Sequence, residues 1–180
     1  MTDVSSRYST IASAFSARVQ GTTDWSATSP CDGWTARDVV AHVVGVHRGV
    51  VAGATDTPPQ ELSADDDIAT AWTAATAALL SVLENPEQAA KVANGPFGPM
   101  PVEQLVGRLI CNDTLIHTWD LARATGQDET LDAASCEGAL SGLKPLDGMI
   151  RGAGFFGPKL DTPEGAGTQV ELLRFLGRPA

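Results

Sequence analysis

Between Val102 and Leu121 the chain carries the pattern that most narrows its fold. Val102, Leu105, Val106, Leu109, Ile110, Ile116 and Leu121 recur at helical spacing and fall on one arc when each residue turns about 100°. Such an arc must be covered by other elements. Three ionisable side chains, Asp113, His117 and Asp120, stand in the middle of it, while Arg108, Cys111, Thr118 and Ala122 are assigned to the opposite face. Burying a polar group without a partner costs about 1–3 kcal/mol, and more for a charge, so these three residues need partners from one another, from another helix or from an ion.

Similar periods predict the helices that supply the cover. Tyr8, Ile11, Phe15 and Val19 mark a helix over about 3–20. A loop rich in Thr, Ser, Pro and Gly follows, ending in Ser29-Pro30-Cys31-Asp32-Gly33-Trp34. Thr35, with Asp38 three residues on, reads as the N-cap and capping box of a second helix reaching about Val51. Ser63 and the acidic run Asp65–Asp67 are expected to cap a third, with the core stripe Ile68, Trp72, Ala75, Leu79 and Val82, ended by Asn85-Pro86. Residues 87–100 are expected to be irregular, with Phe97 as a packing anchor. Pro101 opens the fourth helix and Gly126 closes it. A further helical segment from about Asp132, interrupted by Pro145, and a short helix near Val170–Leu176 complete the chain. No convincing alternating strand is found. The fold class expected is all-α, a four-helix bundle with at least one crossover, long connections and a short C-terminal helical extension, in one domain over residues 1–180.

Composition removes several functions. Twelve Lys and Arg against 22 Asp and Glu leave a net charge of −10, which repels phosphate backbones and anionic lipid. Nucleic acid is not expected as a partner. No apolar run approaches the roughly 18 residues that span a bilayer, and the N-terminus has no signal-peptide pattern, so a cytoplasmic protein with no membrane partner is expected. Cys31, Cys111 and Cys136 are odd in number and widely spaced, without a CxxC pair, and read as reduced thiols. Nucleophile-elbow, zincin, P-loop and dinucleotide-binding signatures are absent.

Asp113 and His117, four residues apart, place a carboxylate and an imidazole on adjacent turns of one face, an arrangement able to offer two ligands to one ion. A third ligand must come from another helix. His42 is the candidate, because His47 lies roughly 140° around the second helix from it and reads as a helix-flank imidazole. Gly45 and Gly49 leave room beside His42 for a close helix or a small ligand. Spacing alone is served somewhat better by a metal-free buried network in which His42, Asp113 and His117 satisfy one another and Asp120 orients an imidazole. Cys31 and Cys136 read as structural thiols, and Trp119 as packing against another helix or a dimer partner.

Two stretches, Pro30-Cys31-Asp32-Gly33-Trp34-Thr35-Ala36-Arg37-Asp38-Val39-Val40-Ala41-His42-Val43-Val44-Gly45 and Asp113-Thr114-Leu115-Ile116-His117-Thr118-Trp119-Asp120-Leu121-Ala122-Arg123-Ala124-Thr125-Gly126, resemble the N-terminal domain of mycothiol-dependent maleylpyruvate isomerases, within the DinB-like superfamily. The chain looks most similar to the family's short, stand-alone actinobacterial members. The resemblance implies a four-helix bundle holding a divalent metal, zinc or nickel, through His42, Asp113 and His117, with aspartate where the isomerases have glutamate. The full isomerases also have a C-terminal domain that contributes to catalysis, and this sequence shows no counterpart.

A site with three protein ligands keeps a coordination position open, as catalytic metal sites do. The expected chemistry is therefore transfer to, or isomerisation of, a small electrophile by a metal-activated small-molecule thiol, with mycothiol as cosubstrate. Asp120 would accept the second N–H of an imidazole ligand. A hydrolase of small amides or esters and a non-catalytic metal- or ligand-binding bundle, as monomer or homodimer, are the alternatives.

Overall fold

A computed structural model describes residues 3–95, 98–152 and 154–180; Phe97 lies outside them. The chain forms two compact units, Met1–Glu129 and Thr130–Ala180.

In the first unit, α1 (Asp3–Gly21), α2 (Ala36–Thr55) and α3 (Ile68–Glu84) follow the expected periods. A short helix α4 (Pro86–Ala90) and strands β1 (Val92–Gly95) and β2 (Gly98–Pro101) come next, then α5 (Val102–Leu105), a π turn (Val106–Ile110) and α6 (Cys111–Thr125). Helix α1 packs on α3 and α6, and so does α2. Consecutive helices α1 and α2 therefore occupy opposite corners, and their connection is a crossover. This is the all-α bundle that the helical periods predict, with the DinB-like character that the resemblance implies.

The core of the unit follows from the stripes. Tyr8, Ile11, Phe15 and Val19 of α1 are buried, as are Ile68, Trp72, Ala75, Leu79 and Val82 of α3. Phe15 meets Trp72 edge-on at 4.7 Å between centroids, and Trp72 Nε1–H donates to Ser16 Oγ at 2.9 Å. The aromatic pair thus buries its bulk while its polar atom keeps a partner.

Several expectations need correction. Asp67, not Ser63, caps α3, accepting from Thr70 N, while Ser63 lies in the turn before it. Residues 87–100 are not wholly irregular: β1 and β2 form an antiparallel hairpin with Val92 opposite Pro101 and Gly95 opposite Gly98. Its glycines, prolines and exposed Val92 give no alternation to read. The fourth helix is broken by the π turn, and α6 is buried on both sides. Cys111, Thr118 and Ala122, expected on the outer face, are buried, and Leu109 is only half-buried. Thr118 remains satisfied by donating to Thr114 O at 2.7 Å.

Side chains hold the π turn. Arg7 donates to Gly107 O at 3.3 Å and to Asn112 Oδ1 at 2.8 Å, and Asn112 Nδ2 donates to Arg108 O at 2.9 Å. Carbonyls displaced from regular α pairing thereby find donors.

The second unit contains α7 (Ala133–Leu143), capped by Asp132, a 3-10 turn at Pro145, α8 (Asp147–Gly152) and α9 (Thr168–Phe175). Helices α7 and α9 pack together, and Lys144 pairs with Glu171 at 2.6 Å. Among the described residues, no helix is long and apolar enough to cross a membrane.

Candidate metal centre

The site is assembled from α2, α6 and the turn that precedes α2. That turn is defined by Ser29 N–H to Trp34 O at 2.9 Å and Trp34 N–H to Cys31 O at 3.0 Å, with Gly33 at φ +75°. Glycine suits this left-handed position because it has no Cβ to clash. The expected capping box then starts α2: Thr35 N–H donates to Asp38 Oδ2 at 2.9 Å, and Asp38 N–H donates to Thr35 Oγ1 at 3.3 Å. Two turns on, His42 points towards α6.

His42 Nε2 lies 3.2 Å from Asp113 Oδ1, and His117 Nε2 lies 3.6 Å from the same oxygen. The ligating atoms of all three residues fall within 4.8 Å of one another. The imidazoles of His42 and His117 meet edge-on at 4.9 Å. His42 is the accessible member, its side chain 34% exposed against 18% for Asp113 and 9% for His117. The helical spacing and the choice of His42 over His47 thus describe one cluster.

Asp120, with no exposed side-chain surface, accepts from His117 Nδ1–H at 2.9 Å. This bond leaves His117 Nε2 facing Asp113. Burial disfavours the charged form of His117, but Asp113, Asp120 and a hydrogen bond with Cys31 prevail and push its pKa up to about 10. Burial likewise opposes ionisation of Asp113, yet the neighbouring His117 and His42 hold its carboxyl below the ordinary carboxylate value. The pocket is electrostatically arranged for positive charge.

The residues fit a divalent cation. Two imidazole nitrogens and one carboxylate form a donor set common to zinc and other first-row metals. Asp113 Oδ2 supplies an independent sign, since it is buried and has no hydrogen-bond partner. A carboxylate oxygen left in that state is costly unless a cation or another donor serves it.

Sequence reasoning overlooked two residues here. Trp34 lies over both imidazoles, 5.1 Å from His42 and 5.9 Å from His117, with its ring plane 24° from that of His117. Cys31, read as a structural thiol, instead donates Sγ–H to Asp120 Oδ2 at 3.3 Å. Both belong to an aperiodic turn, so no helical pattern could reveal them. Their sequence signals were their place just before a capping box that leads to a histidine and their inclusion in the Pro30–Gly45 stretch that carries the family resemblance.

His47, read as a helix-flank imidazole, is a core residue. It is fully buried between Tyr8 and Trp72, with centroids 5.6 and 5.1 Å away, and Nδ1–H donates to Val43 O at 2.7 Å. Burial lowers its pKa to about 4. Gly45 and Gly49 are exposed, and a Cβ at either would meet nothing within 4 Å, so no neighbouring helix requires their small size. Trp119 is buried under the Arg123 guanidinium, 4.6 Å from its ring centroid. Cys136 is a buried thiol whose pKa burial raises to about 11.

No solved structure gives a significant match to the chain. Two proteins of Mycobacterium tuberculosis are similar to it along most of their length: "Uncharacterized protein MT0763" of strain CDC 1551 and "Uncharacterized protein Rv0738" of strain H37Rv. Each is 32% identical over 152 residues, covering 83% of this chain and 82% of the relative. Residues 8–122, which include Cys31, Trp34, His42, Asp113, His117 and Asp120, match the family described as "Mycothiol maleylpyruvate isomerase N-terminal domain". The chain belongs to that family.

Proposed function

We propose that this protein binds a divalent metal, zinc or nickel, through His42, Asp113 and His117 and uses it with a small-molecule thiol, mycothiol, to transform a small electrophile by thiol transfer or isomerisation. The observation that carries the reading is the convergence of these three side chains on one point, with Asp113 Oδ2 buried and unpartnered. Family membership supplies the thiol.

A divalent cation at this position would supply Lewis acidity that favours thiolate over thiol, the nucleophilic form. The chain's own residues prepare the place. Asp120 keeps a proton on His117 Nδ1, so that Nε2 is the nitrogen that would give up its proton to a metal. Asp113 sets a negative charge between the two imidazoles. Trp34 shields one side of both rings from water and offers an apolar surface to the electrophile. The 34% exposure of the His42 side chain marks the open approach.

The test is elemental analysis of purified wild type beside His117→Ala, with mycothiol titrated into each and consumption of a chloro-dinitro aromatic followed. One metal ion per wild-type chain, its loss in the variant and thiol-dependent turnover are the expected results. Equal metal content in both proteins, or a loaded wild type that does not respond to thiol, would remove the reading. A second reading, a non-catalytic metal-binding bundle, is favoured by the burial of two of the three residues, the Asp113 and His117 side chains being only 18% and 9% exposed. Metal-dependent stability without turnover would select it.

A further inference from the structure

The geometry points to Cys31 as a positioning residue that holds the Asp120 carboxylate against His117, so that the turn before α2 sets the orientation of a metal ligand on α6. The assignment deepens the metal reading and rests on it for its functional meaning. Its structural content can be tested without metal.

Among the contacts of Asp120, its Oδ2 receives His117 Nδ1–H at 2.9 Å and Cys31 Sγ–H at 3.3 Å. The carboxylate is fully buried, so its orientation depends on protein donors and not on bulk water. The two donors come from different places. His117 is on the same helix as Asp120 and moves with it, whereas Cys31 belongs to the turn and fixes the carboxylate relative to α2.

The turn is well placed for this role. Cys31 N–H donates to Ser29 Oγ at 3.1 Å, and Cys31 O accepts from Trp34 N–H at 3.0 Å. The same few residues thus place a thiol behind His117, at its Nδ1 side, and an indole across its ring face. A thiol is also a suitable donor chemically. It is neutral and weak, so it orients Asp120 while leaving most of the carboxylate charge to His117. A cationic donor would compete for that charge.

An alternative assignment makes Cys31 itself a ligand, since its Sγ, Asp120 and His117 also lie within 4.8 Å of one another. Ligation there would take His117 Nδ1 and disrupt its 2.9 Å bond to Asp120, so the positioning role accounts for the contacts better.

Wild type, Cys31→Ala and Cys31→Ser should be compared in two measurements, with melting curves confirming that each is folded. In the metal-free proteins, proton NMR with isotope-labelled histidine reads the His117 Nδ1–H. Wild type and Cys31→Ser should show a downfield, exchange-protected resonance, and Cys31→Ala should shift or lose it. In cobalt(II) titrations, Cys31→Ala should bind about tenfold more weakly, the lower end of the range for groups that orient metal ligands, with serine restoring affinity. Identical resonances and affinities in all three proteins overturn the assignment. A sulfur-to-cobalt charge-transfer band in wild type also overturns it, by making Cys31 a ligand. A wild type that takes no cobalt defeats the metal reading alone, and the imidazole resonance then decides whether Cys31 positions Asp120.

Discussion

His117 and Asp120 are joined by a 2.9 Å bond from Nδ1–H to Oδ2, inside a helix and with the acid wholly removed from solvent. The pairing settles which ring nitrogen faces Asp113. Asp120→Asn retains an acceptor but removes the charge, and is expected to weaken divalent-metal affinity by about ten- to a hundredfold. Competitive titration with a chromogenic chelator measures it, and unchanged affinity would show that Asp120 does not serve the site.

Asp113 contributes charge as well as an oxygen. In Asp113→Asn the amide keeps nearly the same shape, yet both imidazoles lose their shared anion. Metal affinity should fall further than in Asp120→Asn, with less metal retained after dialysis. Comparable retention in the two variants would contradict a ligand role for Asp113.

His47 predicts an acid-sensitive fold. Its pKa is about 4 in the folded chain against an ordinary 6.5, so between those values the unfolded chain binds the extra proton and the folded chain does not. The stabilisation is complete above pH 6.5 and is lost as pH falls through 4, with a magnitude on the order of 3 kcal/mol. His47→Phe preserves an aromatic ring between Tyr8 and Trp72 but cannot titrate. Urea unfolding across this window should show a shallower loss of stability in the variant, and parallel curves would refute the assignment.

Trp72 anchors the packing of α1 on α3. Trp72→Ala should destabilise the chain by about 3–5 kcal/mol, as expected for removal of a buried large aromatic. Trp72→Phe should cost less, because it removes chiefly the bond to Ser16 Oγ. Equilibrium denaturation orders the pair.

Thr35 governs both a helix end and the turn beside the site. Thr35→Ala should lower stability by about 1 kcal/mol through loss of the cap. Trp34 is the adjacent residue and stacks on His117, so its fluorescence should change in the same variant. Loss of stability without any spectral change would separate the cap from the site.

The helices and the cluster of His42, Asp113 and His117 were legible because both are written in periods. Asp113 and His117 needed only their spacing, and His42 needed only to be the histidine on the right side of α2. Three features followed other rules. His47 is buried because α2 packs on both α3 and α6, whereas a wheel with one buried face leaves its far side to solvent. The hairpin is held by backbone pairing among residues with no strand pattern. Cys31 and Trp34 reach the site from a turn whose geometry depends on local hydrogen bonds and on Gly33, none of which has a repeat.

The π turn at Val106–Ile110 works as an angular offset within one rod. The N-terminal portion carries Leu105, whose Cδ1 lies so near Gly95 that a Cβ there would come within 2.6 Å, while the C-terminal portion presents Asp113 and His117. Winding the same five residues as regular α-helix, at about 100° per residue, would overwind this segment and turn one portion against the other. The hairpin seat or the Asp113–His117 pair would then have to give up its aim. Transplanting His42, Asp113 and His117 onto an uninterrupted scaffold consequently demands a new solution to phasing, even if every side chain is copied.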